Sequence, residues 1–352
     1  MSMKDVYRSL DNLIKECPQR SLQNGDRYVI MSDLHMGDGG SRDDLAHNRA
    51  LIVKALHYYY AQGYTLILNG DIEDVQKFKY AQILTAWRDL FKIFNDFAQD
   101  NRFIKIVGNH DIALLHDTDY PYPLHHGYSF VKGNDRLFVF HGHQASKLFS
   151  EYDYISEFVV KFMAKPFHIK NGNVAHHSKR RFAVEKRIYR YAQDRKVIAI
   201  IGHTHRPLFE SLSKYDSLRW SIEDLIREYA LASGERREQI RITLTVYKAE
   251  LERLEKQKLK EKISRSLYQA SPLLVPCLFN SGCATGKKGL TCLEVSAERI
   301  SLEYWTPRGQ AKSYIHEEAL RQENYEDFQK YTLKEDDLGH VFLRISLLGS
   351  ES

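Results

Sequence analysis

The chain has 352 residues, 43% of them hydrophobic and 28% charged, with a formal net charge of +5. Such a composition supplies a full globular core, and the length suits two average domains or one large α/β domain with insertions. No apolar run approaches the roughly 18–20 residues needed to span a bilayer. The opening MSMKDVYRSLDNLIKE is charged throughout and lacks the apolar centre of a secretory leader, so a cytoplasmic protein is expected. Cys17, Cys277, Cys283 and Cys292 show neither CxxC nor zinc-finger spacing. Reduced thiols are the expectation in that compartment, with Cys283 and Cys292 as the pair that a hairpin would bring face to face.

In chain order, RYVIMSD (27–33) reads as a strand and the stretch around 43–62 as a helix. YTLILNGD (64–71) is the next strand, and 79–99 carries apolar residues at helical spacing. RFIKIVGNHD (102–111), DRLFVFHGH (135–143) and KVIAIIGHTH (196–205) are three further strands. Alternation of this kind predicts an α/β fold with a partly parallel sheet. Residues 145–195 have no strand pattern, and Leu148, Tyr152, Ile155, Phe158, Val159, Phe162 and Met163 form the apolar face of a helix. Residues 215–270 read as a helical hairpin: Ser221 and Asp224 form a capping-box pattern, Gly234 breaks the chain, and Ile240, Leu244, Tyr247, Leu251 and Leu254 form a seam. Beyond 272, LLVPCLFNSG, GLTCLEVS and RISLEYWTP are strands joined by turns, which predicts a local meander completing a second sheet. The tail 310–352 carries no chemical pattern.

Polar residues recur where the apolar strands stop. They are Asp33 and His35 in SDLH, Asp71 and Asp74 in GDIED, Asn109, His110 and Asp111 in GNHD, His141 and His143 in HGH, and His203 and His205 in GHTH. Each cluster alone is explained by turn chemistry, which favours Gly, Asn and Asp. Together they are not, because ligands of open α/β sheets gather at the carboxyl ends of strands. Carboxylate, imidazole and amide oxygen suit borderline divalent ions such as Mn, Fe or Zn. The donors are too many for one tetrahedral ion, and two ions about 3.5–4 Å apart, bridged by a carboxylate, would use them all.

The ordered set SDLH, GDIED, GNHD, HGH and GHTH, over residues 27–205, resembles the five signature blocks of the calcineurin-like metallophosphoesterase superfamily. The resemblance implies an α/β fold, a two-sheet βαβ sandwich flanked by helices, with a dinuclear centre at one edge. It would occupy residues 1–309, interrupted by helical insertions at about 145–195 and 210–270 and followed by the tail. It further implies that Asp33, His35 and His205 bind one metal, that Asn109, His141 and His203 bind the other, and that Asp71 bridges them. His110 would protonate the leaving group, Asp74 would support it or a ligand, and Asp111 would fix the turn that Gly108 allows. His143 would be a supporting or substrate-facing residue. The reaction implied is hydrolysis of a phosphodiester, phosphomonoester or pyrophosphate bond by a hydroxide bridging two divalent ions, with Mn the expected ion in vitro and Fe or Zn the alternatives.

Protein serine/threonine phosphatases of this superfamily carry GDxVDRG and GNHE, where this chain has GDIEDV and GNHD. Pyrophosphatases that cleave UDP-diacylglucosamine share the blocks and a helical insertion after the fourth, but carry Arg where this chain has His110. Residues 170–196 hold nine Lys and Arg against Glu185 and Asp194, and Lys179, Arg180 and Arg181 are candidates for anion binding. Such a segment either attracts a phosphate-rich substrate such as nucleic acid or is a solvated helix face. The hairpin 215–270 is either a homodimer contact or a plain protrusion. A scaffold that binds partners through its insertions is the reading from another functional class.

Overall fold

The computed structural model describes residues 3–146, 178–209, 222, 225–226, 228–261, 275–287, 289–311 and 313–349. It divides into two compact units, Met1–Glu210 with Val275–Ser352, and Ser211–Leu274. The described elements run α1 (Met3–Glu16), β1 (Gln19–Ser21), β2 (Arg27–Met31), α2 (Arg49–Ala61), β3 (Thr65–Asn69), α3 (Tyr80–Ala86), α4 (Arg88–Gln99), β4 (Phe103–Ile106), β5 (Leu124–His125), β6 (Gly127–Lys132), β7 (Asp135–Phe140), α5 (Ser178–Arg195) and β8 (Ile198–Ile201). The second unit contains α6 (Gly234–Glu261), after which come β9 (Leu278–Asn280), β10 (Leu290–Ser296), β11 (Arg299–Pro307), α7 (Ser313–Glu318), β12 (Arg321–Tyr325), β13 (Phe328–Asp337) and α8 (Leu338–Leu348).

The fold is α/β with two sheets. The larger has eight strands in the order β12-β13-β11-β10-β2-β3-β4-β5, and the smaller has five in the order β1-β6-β7-β8-β9. Strands β2 to β5 run parallel, as do β7, β8 and β9. A parallel strand covered on both faces reads as a continuous apolar run. That is why Val29 to Met31, Leu66 to Leu68 and Ile198 to Ile201 are all buried. Helices α2 and α4 each bury one stripe, Leu51, Ile52, Ala55, Leu56 and Tyr59 from the first and Leu90, Phe91, Ile93, Phe94 and Phe97 from the second. These side chains share one core cluster with Val29, Met31, Leu66 and Leu68.

Three features differ from the sequence reading. The helix expected over 79–99 is broken at Trp87, whose backbone sits at φ −110° and ψ 30°. The break lets the buried indole N–H donate to Asp43 Oδ2 at 2.9 Å, with the Arg49 guanidinium 4.9 Å from the ring. Secondly, the strands after residue 272 do not form one meander. Strand β9 pairs in parallel with β8 in the smaller sheet, whereas β10 and β11 pair antiparallel in the larger one and β10 continues onto β2. Strands β9 and β10, consecutive in the chain, therefore belong to different sheets. Thirdly, β13 pairs antiparallel with β11 along Arg299 to Pro307, so part of 310–352 extends the larger sheet. Asp337 caps α8 by accepting the His340 backbone N–H at 2.7 Å.

Residues 147–177, including Leu148 to Met163, lie outside the described residues, as do Ser221 and Asp224. In the second unit α6 is one helix of 28 residues that carries Glu238–Arg241 and Glu250–Arg253 ion pairs three residues apart. All four cysteines are free. No helix among the described residues is long and apolar enough to cross a membrane.

Buried charge in the larger sheet makes one pH dependence explicit. Glu303 on β11 is 1% exposed and accepts from Thr332 Oγ1 at 2.9 Å. Burial, and then the Glu294 carboxylate, pushes its pKa from an ordinary 4.5 up to about 7, against the pull of Lys330. Across the window from pH 4.5 to about 7 the folded chain keeps a proton that the unfolded chain has released, so stability falls as pH rises through it. Glu303→Gln should lose that slope and gain about 1–3 kcal/mol relative to wild type above the window. Urea unfolding at a series of pH values checks this, and parallel profiles for the two proteins would exclude Glu303 as the titrating group.

Candidate metal centre

Because β2, β3 and β4 are parallel neighbours, the segments that follow them emerge side by side. Asp33 N donates to Gly70 O and His35 N to Asp71 O, both at 3.0 Å. The smaller sheet does the same after β7 and β8, where Gly202 N donates to His141 O at 3.0 Å. The two sets are tied across the sheets. Asn69 Nδ2 donates to Phe140 O at 3.1 Å, His141 Nδ1 lies 2.8 Å from Asn69 O, and His203 N donates to Asp33 Oδ2 at 2.9 Å.

The backbone there is unusual. Eight non-glycine residues among those described have positive φ, and five of them are Asp33 (54°), His35 (50°), Asp71 (54°), His203 (64°) and His205 (55°). For such residues the left-handed region costs on the order of 1–2 kcal/mol each, and strain of this kind collects at functional sites. Two glycines make the convergence feasible. At Gly70 φ is +81°, and a Cβ there would stand 2.4 Å from His141 Nδ1. Gly108, expected to permit a tight turn, has no left-handed φ; it is needed because a Cβ would lie 2.1 Å from Asp71 Oδ1.

Three overlapping groups of side chains have donor atoms within 4.8 Å of one another: Asp33, His35 and His205; Asp71, His141 and His203; and His35, Asp71 and His110. His205 Nε2 is 3.1 Å from Asp33 Oδ1, His141 Nε2 is 3.1 Å from Asp71 Oδ2, and the Nε2 atoms of His35 and His205 are 3.0 Å apart. Burial works against the Asp33 and Asp71 carboxylates, yet His205 beside the first and His141 beside the second hold both pKa values below the ordinary range. Burial, then His110 and His205, lowers His35 to about 4, and burial with His141 lowers His203 to about 3. His141 goes the other way, to about 9, because Asp71 outweighs its burial. Ionised carboxylates and the neutral imidazoles of His35 and His203 are forms that ligate a divalent ion directly, whereas His141 and His205, whose pKa values Asp71 and Asp33 raise, would each give up a proton on binding one. In addition, Asn109 Oδ1 and His203 Nε2 are buried without a hydrogen-bond partner among the described residues, as expected of atoms whose partner is a cation. The donor set fits divalent metal.

His110 borders this cluster. Its backbone N–H donates to Asp71 Oδ1 at 2.7 Å, and its Nδ1 lies 2.9 Å from Asp74 Oδ1. The other Asp74 oxygen is 2.8 Å from Lys77 Nζ. Asp111 accepts from Gly108 N at 2.5 Å, Ile72 N at 2.9 Å and Lys105 Nζ at 2.6 Å. Lys105 is completely buried and also pairs with Glu73 at 2.8 Å, so a charged triad underlies the GNHD turn. His143 is buried behind the cluster, its ring 5.5 Å from that of His141 and 6.4 Å from that of His203. Lys179, Arg180 and Arg181 begin α5, with side chains outside the described residues.

Residues not singled out from the sequence complete the surroundings. Ser32 Oγ and Ser281 Oγ are 2.7 Å apart, and Asn280 Nδ2 donates to Gly202 O at 3.0 Å. The signal for Asn280 and Ser281 was present in LFNSG, another apolar strand ending in polar residues and glycine.

The calcineurin-like phosphoesterase family matches residues 27–207, which contain every side chain of the three groups. The chain belongs to that family. Membership makes it a phosphoesterase-type hydrolase with a site for divalent metal. No curated protein sequence matches the chain. Among solved structures it resembles a predicted phosphoesterase from Streptococcus pneumoniae at 12% identity, covering 89% of this chain and 97% of that one, with a TM-score of 0.29. The phosphoesterase Yfce from E. coli matches at 11% identity over 78% and 91% of the two chains, with a TM-score of 0.33. A dimetal phosphatase from Danio rerio matches at 9% over 82% and 98%, with a TM-score of 0.37. Likenesses this distant say nothing of the substrate here.

Gly108→Ala tests the packing of the cluster. The added methyl has no space beside Asp71, so the melting temperature should fall by several degrees, with a loss of stability of about 1–3 kcal/mol. Bound metal, read by elemental analysis, should fall with it. An unchanged melting temperature and metal content would show that the GNHD turn relaxes without disturbing Asp71.

Proposed function

We propose that this family member hydrolyses a phosphoester through a dinuclear centre, with Asp33, His35 and His205 on one ion, Asn109, His141 and His203 on the other, and Asp71 shared between them. The observation that carries the reading is that the groups Asp33–His35–His205 and Asp71–His141–His203 have no member in common yet adjoin one another. When bound, two divalent ions supply Lewis acidity, acidifying water and offsetting phosphoryl charge. The chain's own part is orientation and proton transfer. Asp74 accepts the Nδ1 proton of His110, which fixes the tautomer and leaves Nε2 to serve the substrate. Burial opposes protonation of His110, but in the metal-free chain Asp71 and then Asp74 prevail and hold its pKa above the ordinary range. With Asp71 on metal, Asp74 is the carboxylate that supports the imidazolium. A protonated imidazole at the edge of the cluster is a general acid: it gives its Nε2 proton to the departing ester oxygen.

The nucleic-acid reading of 170–196 must rest on only part of that segment. Arg187 donates to Ala145 O at 2.9 Å, Arg195 to Asp11 at 2.6 and 2.8 Å, and Lys196 to Ser346 O at 3.5 Å. Those three bases serve the fold. Phosphomonoester, phosphodiester and pyrophosphate remain the candidate substrate classes, with manganese the first ion for assay.

Hydrolysis of bis-p-nitrophenyl phosphate and p-nitrophenyl phosphate with manganese, against Asp71→Asn as the blank, tests the activity and separates diester from monoester preference. Two ions per chain without activity on any phosphoester would support the scaffold reading instead. Protein that binds no metal would end the dinuclear one. For His110→Ala, metal content should be unchanged while kcat falls about 10²–10⁴-fold on an alkyl phosphoester and far less on the nitrophenyl esters. An equal loss on good and poor leaving groups would remove the general-acid role.

A further inference from the structure

We propose that Glu185, on the helix α5, is a positioning residue for the metal-binding pair His203 and His205, an inference that rests on the metal-dependent reading above. Glu185 is completely buried and belongs to a segment otherwise rich in lysine and arginine. Its Oε1 accepts the Thr204 hydroxyl at 2.7 Å and Arg206 Nε at 3.3 Å, and Arg206 also pairs with its Oε2. Thr204 lies between the two histidines, and both of them hold left-handed backbone conformations. The Thr204 hydroxyl is used from both sides, because Asn280 Nδ2 donates to Thr204 Oγ1 at 2.9 Å and to Gly202 O at 3.0 Å. A hydroxyl has one proton. With Asn280 supplying a donor, that proton is committed to Glu185.

The strained segment Gly202 to Arg206 is thus gripped at its carbonyl, its central hydroxyl and its last guanidinium. Outer partners of this sort orient ligands without touching the ion. The same helix reaches the other histidine loop of the smaller sheet, where Arg187 donates to Ala145 O at 2.9 Å, just beyond His141-Gly142-His143. Glu185 and Arg187 are two residues apart on α5, so one helix fixes both loops that carry the smaller sheet's imidazoles.

A buried Glu–Arg pair also stabilises a fold for reasons unrelated to metal, so melting temperature alone does not test the proposal. The test is calorimetric titration of Mn²⁺ into the metal-free full chain for wild type, Glu185→Ala, Glu185→Gln and Thr204→Val. Glu185→Ala and Thr204→Val are each expected to weaken Mn²⁺ binding about 10–100-fold, and the double variant should be no weaker than the worse single one. Glu185→Gln keeps an acceptor for Thr204 and should stay close to wild type. If Glu185→Ala does not fold, Thr204→Val carries the test. Wild-type Mn²⁺ affinity in Thr204→Val, or in a folded Glu185→Ala whose melting temperature alone has dropped, would overturn the positioning role. Absence of Mn²⁺ binding by the wild type would instead remove the metal-dependent reading, a separate outcome.

Discussion

Two ionised carboxylates, Asp33 and Asp71, are buried close together, and most of the surrounding architecture answers that constraint. Asp33 is inaccessible and Asp71 nearly so, where an uncompensated charge is severely unfavourable. Backbone donors from other strand ends meet each one, His203 N for Asp33 and His110 N for Asp71. Imidazoles meet the remaining oxygens. The donors arrive only because the chain turns left-handed at five of these residues and because Gly70 and Gly108 present no side chain where Asp71 and His141 need room. Asn109 Oδ1 and His203 Nε2, buried in the same cluster, still lack a hydrogen-bond partner among the described residues. The carboxylates and half-satisfied imidazoles make the cluster a better host for a divalent cation than for protons alone.

Much of this was legible in the sequence because both halves of the signal are local. A run such as RYVIM or IAII declares a buried parallel strand, and the polar residues after it can only sit at that strand's carboxyl end. Reading five such ends together gave a converging set of metal-ligand types, whereas its division between two ions was only what the family resemblance implied. What could not be read depends on partners distant in sequence. Nothing near Glu185 says that it faces Thr204, and nothing near Lys105 says that it will lie between Glu73 and Asp111. The parting of β9 from β10 was equally hidden, since apolar periodicity marks a strand without naming its sheet. Gly108 was placed correctly in the motif but for another reason than the one that applies: close approach, not backbone freedom.

The helix α5 changes the meaning of its own charge. From composition it is a basic patch offered to polyanions. In the fold Glu185 is buried against Arg206, Arg187 is turned to Ala145 O, and Arg195 is engaged by Asp11 on the surface. A helix that buries Val184, Glu185, Ile188 and Tyr191 is a supporting wall of the smaller sheet. Net charge over a segment therefore overstates what that segment presents to a ligand.

The placing of β9 and β10 in different sheets has a consequence for how the chain is made. Strand β2 is an early strand, but one of its two neighbours is β10, separated from it by most of the chain. Until residues 293–296 leave the ribosome, the Arg-Tyr-Val-Ile edge of β2 that they cover has no strand beside it. An open apolar edge is a template for wrong pairing, and pairings of long sequence separation form slowly. Asp33 waits likewise for the backbone of His203, 170 residues later. The candidate metal cluster is thus completed only late in synthesis, and between the completion of β4 and the arrival of β10 one edge of β2 stays open.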